Sequence, residues 1–116
     1  MKTPVYRGAV IEESLDDRAV LVSLKTLHVT ETSDPDLAAR CRVRTVEGSR
    51  EALRALSRHL KPVGWHAQFW DSRQNTMIVF RGRVFEFRLA DRRAWGEAIR
   101  HGLAVGVPRE RLGSPA

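Results

Sequence analysis

His66 is the residue of this sequence best suited to acid–base chemistry. It stands in the segment 65–70, Trp-His-Ala-Gln-Phe-Trp, which has the residue types of a β-strand. In a strand, His66 shares a face with Gln68 and Trp70. An imidazole with an acidic neighbour such as Asp71 can transfer protons, so a small enzyme is one hypothesis. A half-exposed strand residue is the simpler interpretation, because catalysis needs several groups to converge in one cleft.

Arg42 and Arg44 form a second candidate site, for binding nucleic acid. They alternate in a predicted strand and therefore share one face. If that face adjoins the one that carries His66, Gln68 and Trp70, arginines and an aromatic ring would line a platform for stacked bases of RNA or single-stranded DNA. The net charge of +6 suits such a partner. The positive residues are nevertheless scattered along the chain, which favours an ordinary solvated surface.

A cluster of carboxylates near the N-terminus raises the question of a metal site. Its members are Glu12, Glu13, Asp16 and Asp17, and either glutamate is also a candidate acidic neighbour for His66. Hard divalent cations prefer such oxygens, but the cluster lacks the glycine and the spacing of a calcium-binding loop. No two histidines have the i, i+4 spacing of a helical metal site. We therefore predict a solvated turn here, with no metal and no cofactor in the protein.

Cys41 is the single cysteine, so no disulfide can form within the chain. Its predicted strand places it on the same face as Val43, which favours burial over reactivity even though arginines flank it. The sequence contains no phosphate-binding loop, no dinucleotide glycine motif and no nucleophile elbow. These absences count against nucleotide-dependent catalysis.

The length of 116 residues predicts one domain, residues 1–116, with a hydrophobic core of its own. The N-terminal segment lacks the long apolar stretch of a signal peptide, and no run approaches the ~20 apolar residues of a membrane helix. We therefore expect a cytoplasmic protein with no membrane partner.

Three predicted strands between residues 65 and 89 organise the rest of the chain. The run 77–80 is apolar throughout, which is typical of a central strand covered on both faces. In the segment 84–89 apolar side chains alternate with mostly polar ones, so one face of this strand belongs to the core and the other is partly exposed to solvent. Gly82 lies between these segments and suits a tight hairpin.

Further elements lie on the N-terminal and C-terminal sides of this centre. Strands are predicted over 5–11, 19–29 and 41–46, and helices over 49–60 and 91–103. The apolar residues of 19–29 change parity near Lys25, which indicates a bulge or, alternatively, a short helical turn. Ser49 and Asp91 can cap the two helices, and residues 30–40 predict a polar loop. On the first helix, arginines recur every four residues at 50, 54 and 58, away from the leucine stripe.

This order of elements predicts an α+β fold: a mostly antiparallel sheet of five to six strands with two helices packed on one face. The unit from the strand at 41–46 through the first helix to the strand at 65–70 reads as a right-handed crossover. With the hairpin that follows, it would resemble a ferredoxin-like core with extra strands at the N-terminus. A more extended or partly rolled sheet is the alternative.

Short motifs at both ends and in the centre of the chain carry a family resemblance. They are Tyr6-Arg7-Gly8, Ile11-Glu12-Glu13-Ser14-Leu15, Trp65-His66-Ala67-Gln68-Phe69, Val84-Phe85 and Gly102-Leu103-Ala104-Val105-Gly106-Val107-Pro108. Together they resemble a set of small bacterial proteins of unknown function. The resemblance implies a bacterial, cytoplasmic protein of one domain, and it assigns no catalytic or binding residue.

Because no catalytic set converges in the sequence, the first functional hypothesis is a non-enzymatic domain that binds a protein partner or self-associates. A strand-rich sheet with unpaired edges offers a simple route to a homodimer. The alternatives are RNA or single-stranded DNA binding through the arginine-flanked face, and a small enzyme that uses His66 with an acidic neighbour.

Overall fold

The protein is built on one six-stranded antiparallel sheet, seen in a computed structural model that describes residues 5–34 and 39–112. The strands are β1 (Val5–Ile11), β2 (Lys25–Asp34), β3 (Ala39–Ser49), β4 (Ala67–Trp70), β5 (Asn75–Phe80) and β6 (Arg83–Arg88), in the spatial order β2-β3-β1-β4-β5-β6. The helices are α1 (Arg50–Ala55), α2 (Arg92–Ala104) and α3 (Arg109–Leu112), and 3-10 turns cover Glu12–Ser14, Arg18–Ser23 and Leu56–Arg58. The predicted α+β class and antiparallel sheet are confirmed.

β5 is the strand that is buried on both faces, as its unbroken apolar run predicts. Met77 and Val79 lie in one hydrophobic cluster, together with the leucines of α1 and the turn after it. Ile78 and Phe80 lie in a second cluster with residues of α2 and α3. Since successive side chains of a strand point to opposite faces, the two clusters occupy opposite sides of the sheet.

The expectation that both helices pack on one face is therefore wrong. α1 covers the side of Met77 and Val79, here called the α1 face, whereas α2 and α3 cover the opposite side, here called the α2 face. The physical reason lies in β5 itself, because a strand that is apolar on both faces needs apolar cover on both. On β6, Val84 packs in the cluster of the α1 face, while Phe85 packs in that of the α2 face.

The connection from β3 through α1 to β4 passes across one intervening strand, β1. Both β3 and β4 run antiparallel to β1, so they are parallel to each other. In a ferredoxin-like core the intervening strand would be the hairpin partner of β4, which is β5 here. The N-terminal strand occupies that position instead, where Gly8 allows the close approach: a side chain on Gly8 would overlap the carbonyl of Gln68 and the ring of Phe69.

Both helix caps form as their residue types predict. The Ser49 hydroxyl accepts from the backbone N–H of Ala52 at 3.2 Å, and the Asp91 carboxylate accepts from that of Ala94 at 3.1 Å. These bonds satisfy backbone donors that the first turn of a helix leaves free.

The predicted strand over 19–29 is only partly correct. Its first half is the 3-10 turn Arg18–Ser23, and β2 begins at Lys25 with a bulge at Leu27, where the register shifts between Thr26 and His28. The i, i+3 spacing of Leu21 and Leu24, both buried, matches the three-residue period of a 3-10 helix. The bulge and the helical turn, weighed as alternatives, are both present.

The predicted loop over 30–40 is strand at both of its ends. β2 extends to Asp34 and β3 begins at Ala39, so only residues 35–38 of that segment lie outside the described residues. Paired strands can continue here because threonine, which is favourable in strands, occurs at positions 30 and 32.

Candidate functional site

The α2 face of the sheet is covered over only half of its width. α2 packs against Phe85, Phe87 and the neighbouring residues of β5, whereas the side chains that β1 and residues 43–47 of β3 place on this face are exposed or half-buried. We call the uncovered area the open sheet face; it consists of Arg7, Ala9 and Ile11 on β1, Val43, Thr45 and Glu47 on β3, and Gln68 and Trp70 on β4. Each of these residues is exposed or half-buried.

The strand register aligns Glu47, Arg7 and Trp70 in one row across three strands. Arg7 Nη2 lies 2.8 Å from Glu47 Oε2, and the Trp70 side chain beside them is 43% exposed. With Val5 and the start of the β4–β5 turn, this row surrounds a shallow depression of about 460 Å³. The open sheet face thus combines an exposed indole, an ion pair that is already formed, and small residues in the next row.

His66 does not have the surroundings of an acid–base catalyst. Its ring stacks on Phe80, with centroids 6.0 Å apart and the planes at 25°. Burial lowers the pKa of His66 to about 4; a backbone hydrogen bond with Arg111 opposes this shift, and the positive charge of Arg111 adds to it. The imidazole is therefore neutral at pH 7 and packs against the core.

The carboxylates named as neighbours of His66 are engaged elsewhere. Glu12 binds Arg44, and Glu13 accepts from the backbone N–H of Arg42 at 2.9 Å. Asp71 closes the β4–β5 turn: burial raises its pKa, but hydrogen bonds from Asn75 outweigh that effect and hold it below the usual value. The structure thus gives each of these groups a structural contact.

Arg42 and Arg44 lie on the opposite side of the sheet from Gln68 and Trp70. Arg44 pairs across the strands with Val10, a buried residue of the α1 face. Because residues i and i+2 share a face, Arg42 lies on that side too. The two faces do not adjoin, so the structure does not bring the five predicted site residues into one platform.

The two arginines instead surround a buried carboxylate. Arg44 Nη2 lies 3.2 Å and Arg42 Nε 3.5 Å from Glu12 Oε2, and the Glu12 side chain is only 4% exposed. Arg44 also donates to the Thr26 hydroxyl at 3.1 Å. A buried carboxylate requires such compensation, so these contacts stabilise the packing of the Glu12–Ser14 turn on the sheet.

The acidic cluster near the N-terminus is dispersed in the fold. Asp16 binds Arg81 and His59, while Asp17 caps the 3-10 turn Arg18–Ser23 by accepting from the N–H of Ala19. Among the described residues, no group of three or more histidine, cysteine and acidic side chains is arranged to hold a metal ion. Cys41 is buried, in agreement with its predicted packing role.

A groove on the α1 face was not anticipated. It has a volume of about 710 Å³ and lies between α1 with its following turn and the β5–β6 hairpin; its lining includes Arg50, Arg54, Arg58 and Arg81. The spacing of the first three arginines was visible in the sequence, and a charged helix face is usually only solvated. Arg81 joins them through the tertiary structure, and no local pattern indicates that.

Comparison of the chain with protein families, with curated proteins and with solved structures gave no match. None of the described helices is both long enough and apolar enough to span a membrane.

Proposed function

We propose that this chain is a non-enzymatic, cytoplasmic binding domain of bacterial origin that forms a homodimer through the open sheet face. The observation that carries the proposal is the half-covered α2 face, which leaves Trp70, the last residue of β4, 43% exposed. Tryptophan and arginine are the residues most enriched among those that dominate binding energy at protein interfaces. Arg7 lies directly beside Trp70 on the neighbouring strand.

The charge of this surface supports a second copy of the same chain as the partner. The protein carries a net charge of +6, so two copies repel each other through most of their surfaces. The open sheet face holds the ion pair of Arg7 and Glu47, with Lys25 of β2 opposite Glu47 at its margin, so its net charge is small. A two-fold axis through this face can bring the arginine of each copy towards the glutamate of the other, which is the self-complementarity that a symmetric dimer requires.

Catalysis is the less favoured function because burial lowers the pKa of His66 to about 4, its ring is stacked on Phe80, and it forms no ion pair with a carboxylate of the described residues. Proton transfer at neutral pH needs a group whose pKa lies near that pH and whose nitrogen reaches the substrate. Binding through a surface needs neither condition.

Sedimentation velocity across a range of protein concentrations tests the dimer. The wild-type chain should sediment as a dimer, and Trp70→Glu should weaken the dimer by at least about thirtyfold in Kd, the equivalent of the roughly 2 kcal/mol that defines a hot spot. Val22→Glu is the matched control, since Val22 is 88% exposed on the 3-10 turn Arg18–Ser23, away from the open sheet face. A wild-type monomer at every concentration, or equal weakening by both variants, would overturn the proposal.

A further inference from the structure

We infer that the groove on the α1 face binds the phosphodiester backbone of a single-stranded nucleic acid. The groove lies on the other side of the sheet from the open sheet face, so this activity is separate from dimerisation. Its lining consists of Arg50, Glu51, Arg54, Ala55, Ser57, Arg58, Arg81, Gly82 and Val84. Arginine guanidinium groups recognise phosphate oxygens with pairs of parallel N–H donors.

The arginines follow the length of the groove at a regular spacing. Arg50 and Arg54 are one helical repeat of four residues apart, a rise of about 6 Å along α1. Arg58 continues the row on the 3-10 turn Leu56–Arg58. Steps of this size are comparable to the distance between successive phosphates of an extended strand, so neighbouring guanidinium groups can contact neighbouring phosphates.

Glu86 on β6 holds two of these arginines in place from the side. Its carboxylate accepts from Arg50 Nε at 2.5 Å and Nη2 at 2.8 Å, and from Arg54 Nη1 at 2.5 Å. Each guanidinium has five N–H donors, so both keep further donors for a ligand. The two side chains are 51% and 43% exposed and thus accessible to one. Arginines that are held before binding lose less conformational entropy when a ligand binds.

The other arginines add positive charge to the same groove. Arg81 donates to Asp16 and to the carbonyl of Leu60, both at 3.1 Å, and its side chain is still 44% exposed. Arg58 is exposed and forms no salt bridge with a described residue. The four arginines of the lining are accompanied by three carboxylates, Glu51 in the lining and Glu86 and Asp16 beside it, so the groove keeps a net positive charge that attracts anions.

The lining contains no aromatic side chain on which bases could stack. Contacts from arginine to phosphate position a strand without reading its sequence. The groove should therefore bind RNA and single-stranded DNA of any sequence, with an affinity that falls steeply as salt is added.

Fluorescence anisotropy of labelled twelve-nucleotide oligo-U and oligo-dT, titrated with the full-length chain at 50–200 mM KCl, tests this inference. If the four lining arginines each contact one phosphate, the slope of log K against log salt should be about −2.8, equivalent to about a fiftyfold loss of affinity over that range. Arg58→Gln should weaken binding severalfold and reduce the slope by about 0.7. The matched control is Arg92→Gln, which removes the same charge from an exposed residue of α2.

Three results would overturn the inference. One is the absence of binding at 50 mM KCl. Another is an equal effect of the two substitutions, which would mean that diffuse charge and not the groove attracts the strand. The third is displacement of the oligonucleotides by poly-glutamate or inorganic polyphosphate at equal charge concentration. That result would assign the groove to an acidic peptide or a free polyphosphate. Weak competition by both, together with the selective loss in Arg58→Gln, is the expected result.

Discussion

Mild acid should destabilise this protein through His66. Burial lowers the pKa of His66 in the folded chain to about 4, against 6.5 for an exposed imidazole. As the pH falls, the unfolded chain takes up the proton first, and protonation then favours unfolding. The stabilising contribution of neutral His66 is thus fully present above about pH 6.5, and it is lost progressively as the pH falls towards 4.

The size of this effect follows from the shift. Each pKa unit corresponds to about 1.4 kcal/mol, so the complete titration of His66 is worth roughly 3.4 kcal/mol. At pH 4.5 about 2.5 kcal/mol of this should already be lost. A domain of this size has a total stability of about 5–15 kcal/mol, so the loss is readily measurable.

Urea unfolding of the wild type and of His66→Phe at pH 7 and at pH 4.5 measures the effect. The phenylalanine retains an aromatic ring against Phe80 and removes the titrating group. Carboxylates titrate in both proteins, so their contributions cancel in the difference between the two unfolding free energies. That difference should move by about 2.5 kcal/mol in favour of the variant at the lower pH. A difference that does not depend on pH would refute the argument.

His101→Phe should likewise gain stability relative to the wild type as the pH falls, because burial and then Arg83 lower the pKa of His101.

Three further substitutions test individual contacts, each by chemical unfolding at pH 7. Glu12→Gln should destabilise the fold by about 2 kcal/mol, because Arg44 then loses the buried carboxylate that compensates its charge; an unchanged midpoint would show that this pair is not needed. Gly8→Ala should cost about 1–3 kcal/mol or more, since the added methyl group overlaps the backbone of β4, and a neutral result would contradict the close approach of β1. Ser57→Ala should cost about 1 kcal/mol, because its hydroxyl donates to the carbonyl of Phe80 at 2.7 Å in a buried position; a gain in stability would contradict that bond.

Much of the fold could be predicted from local features of the sequence. The apolar run of β5 identified a strand buried on both faces, although β5 lies beside the edge strand β6 and not at the centre of the sheet. The capping residues Ser49 and Asp91 marked the starts of α1 and α2. These signals depend on residues within one or two turns of each other, because periodicity and capping are local interactions. The run of β5 also required cover on both faces. The single-face packing that we expected for the helices conflicts with that requirement.

Less of the candidate site could be predicted, because it depends on which elements meet. Strand parity correctly predicted that Gln68 shares a face with Trp70, and Arg42 with Arg44. Parity within one strand does not tell which faces of two different strands lie on the same side of the sheet. That relation follows from the insertion of β1 between β3 and β4.

The sequence by itself determined most of the elements, their order and the burial of β5, since each is encoded by residues close together in the chain. Only the tertiary structure decided which half of the α2 face stays open, that His66 stacks on Phe80, and that Arg81 joins the arginines of α1. The physical reason is that strand order and helix placement are set by burial of apolar surface over the whole chain. No short segment specifies that outcome alone.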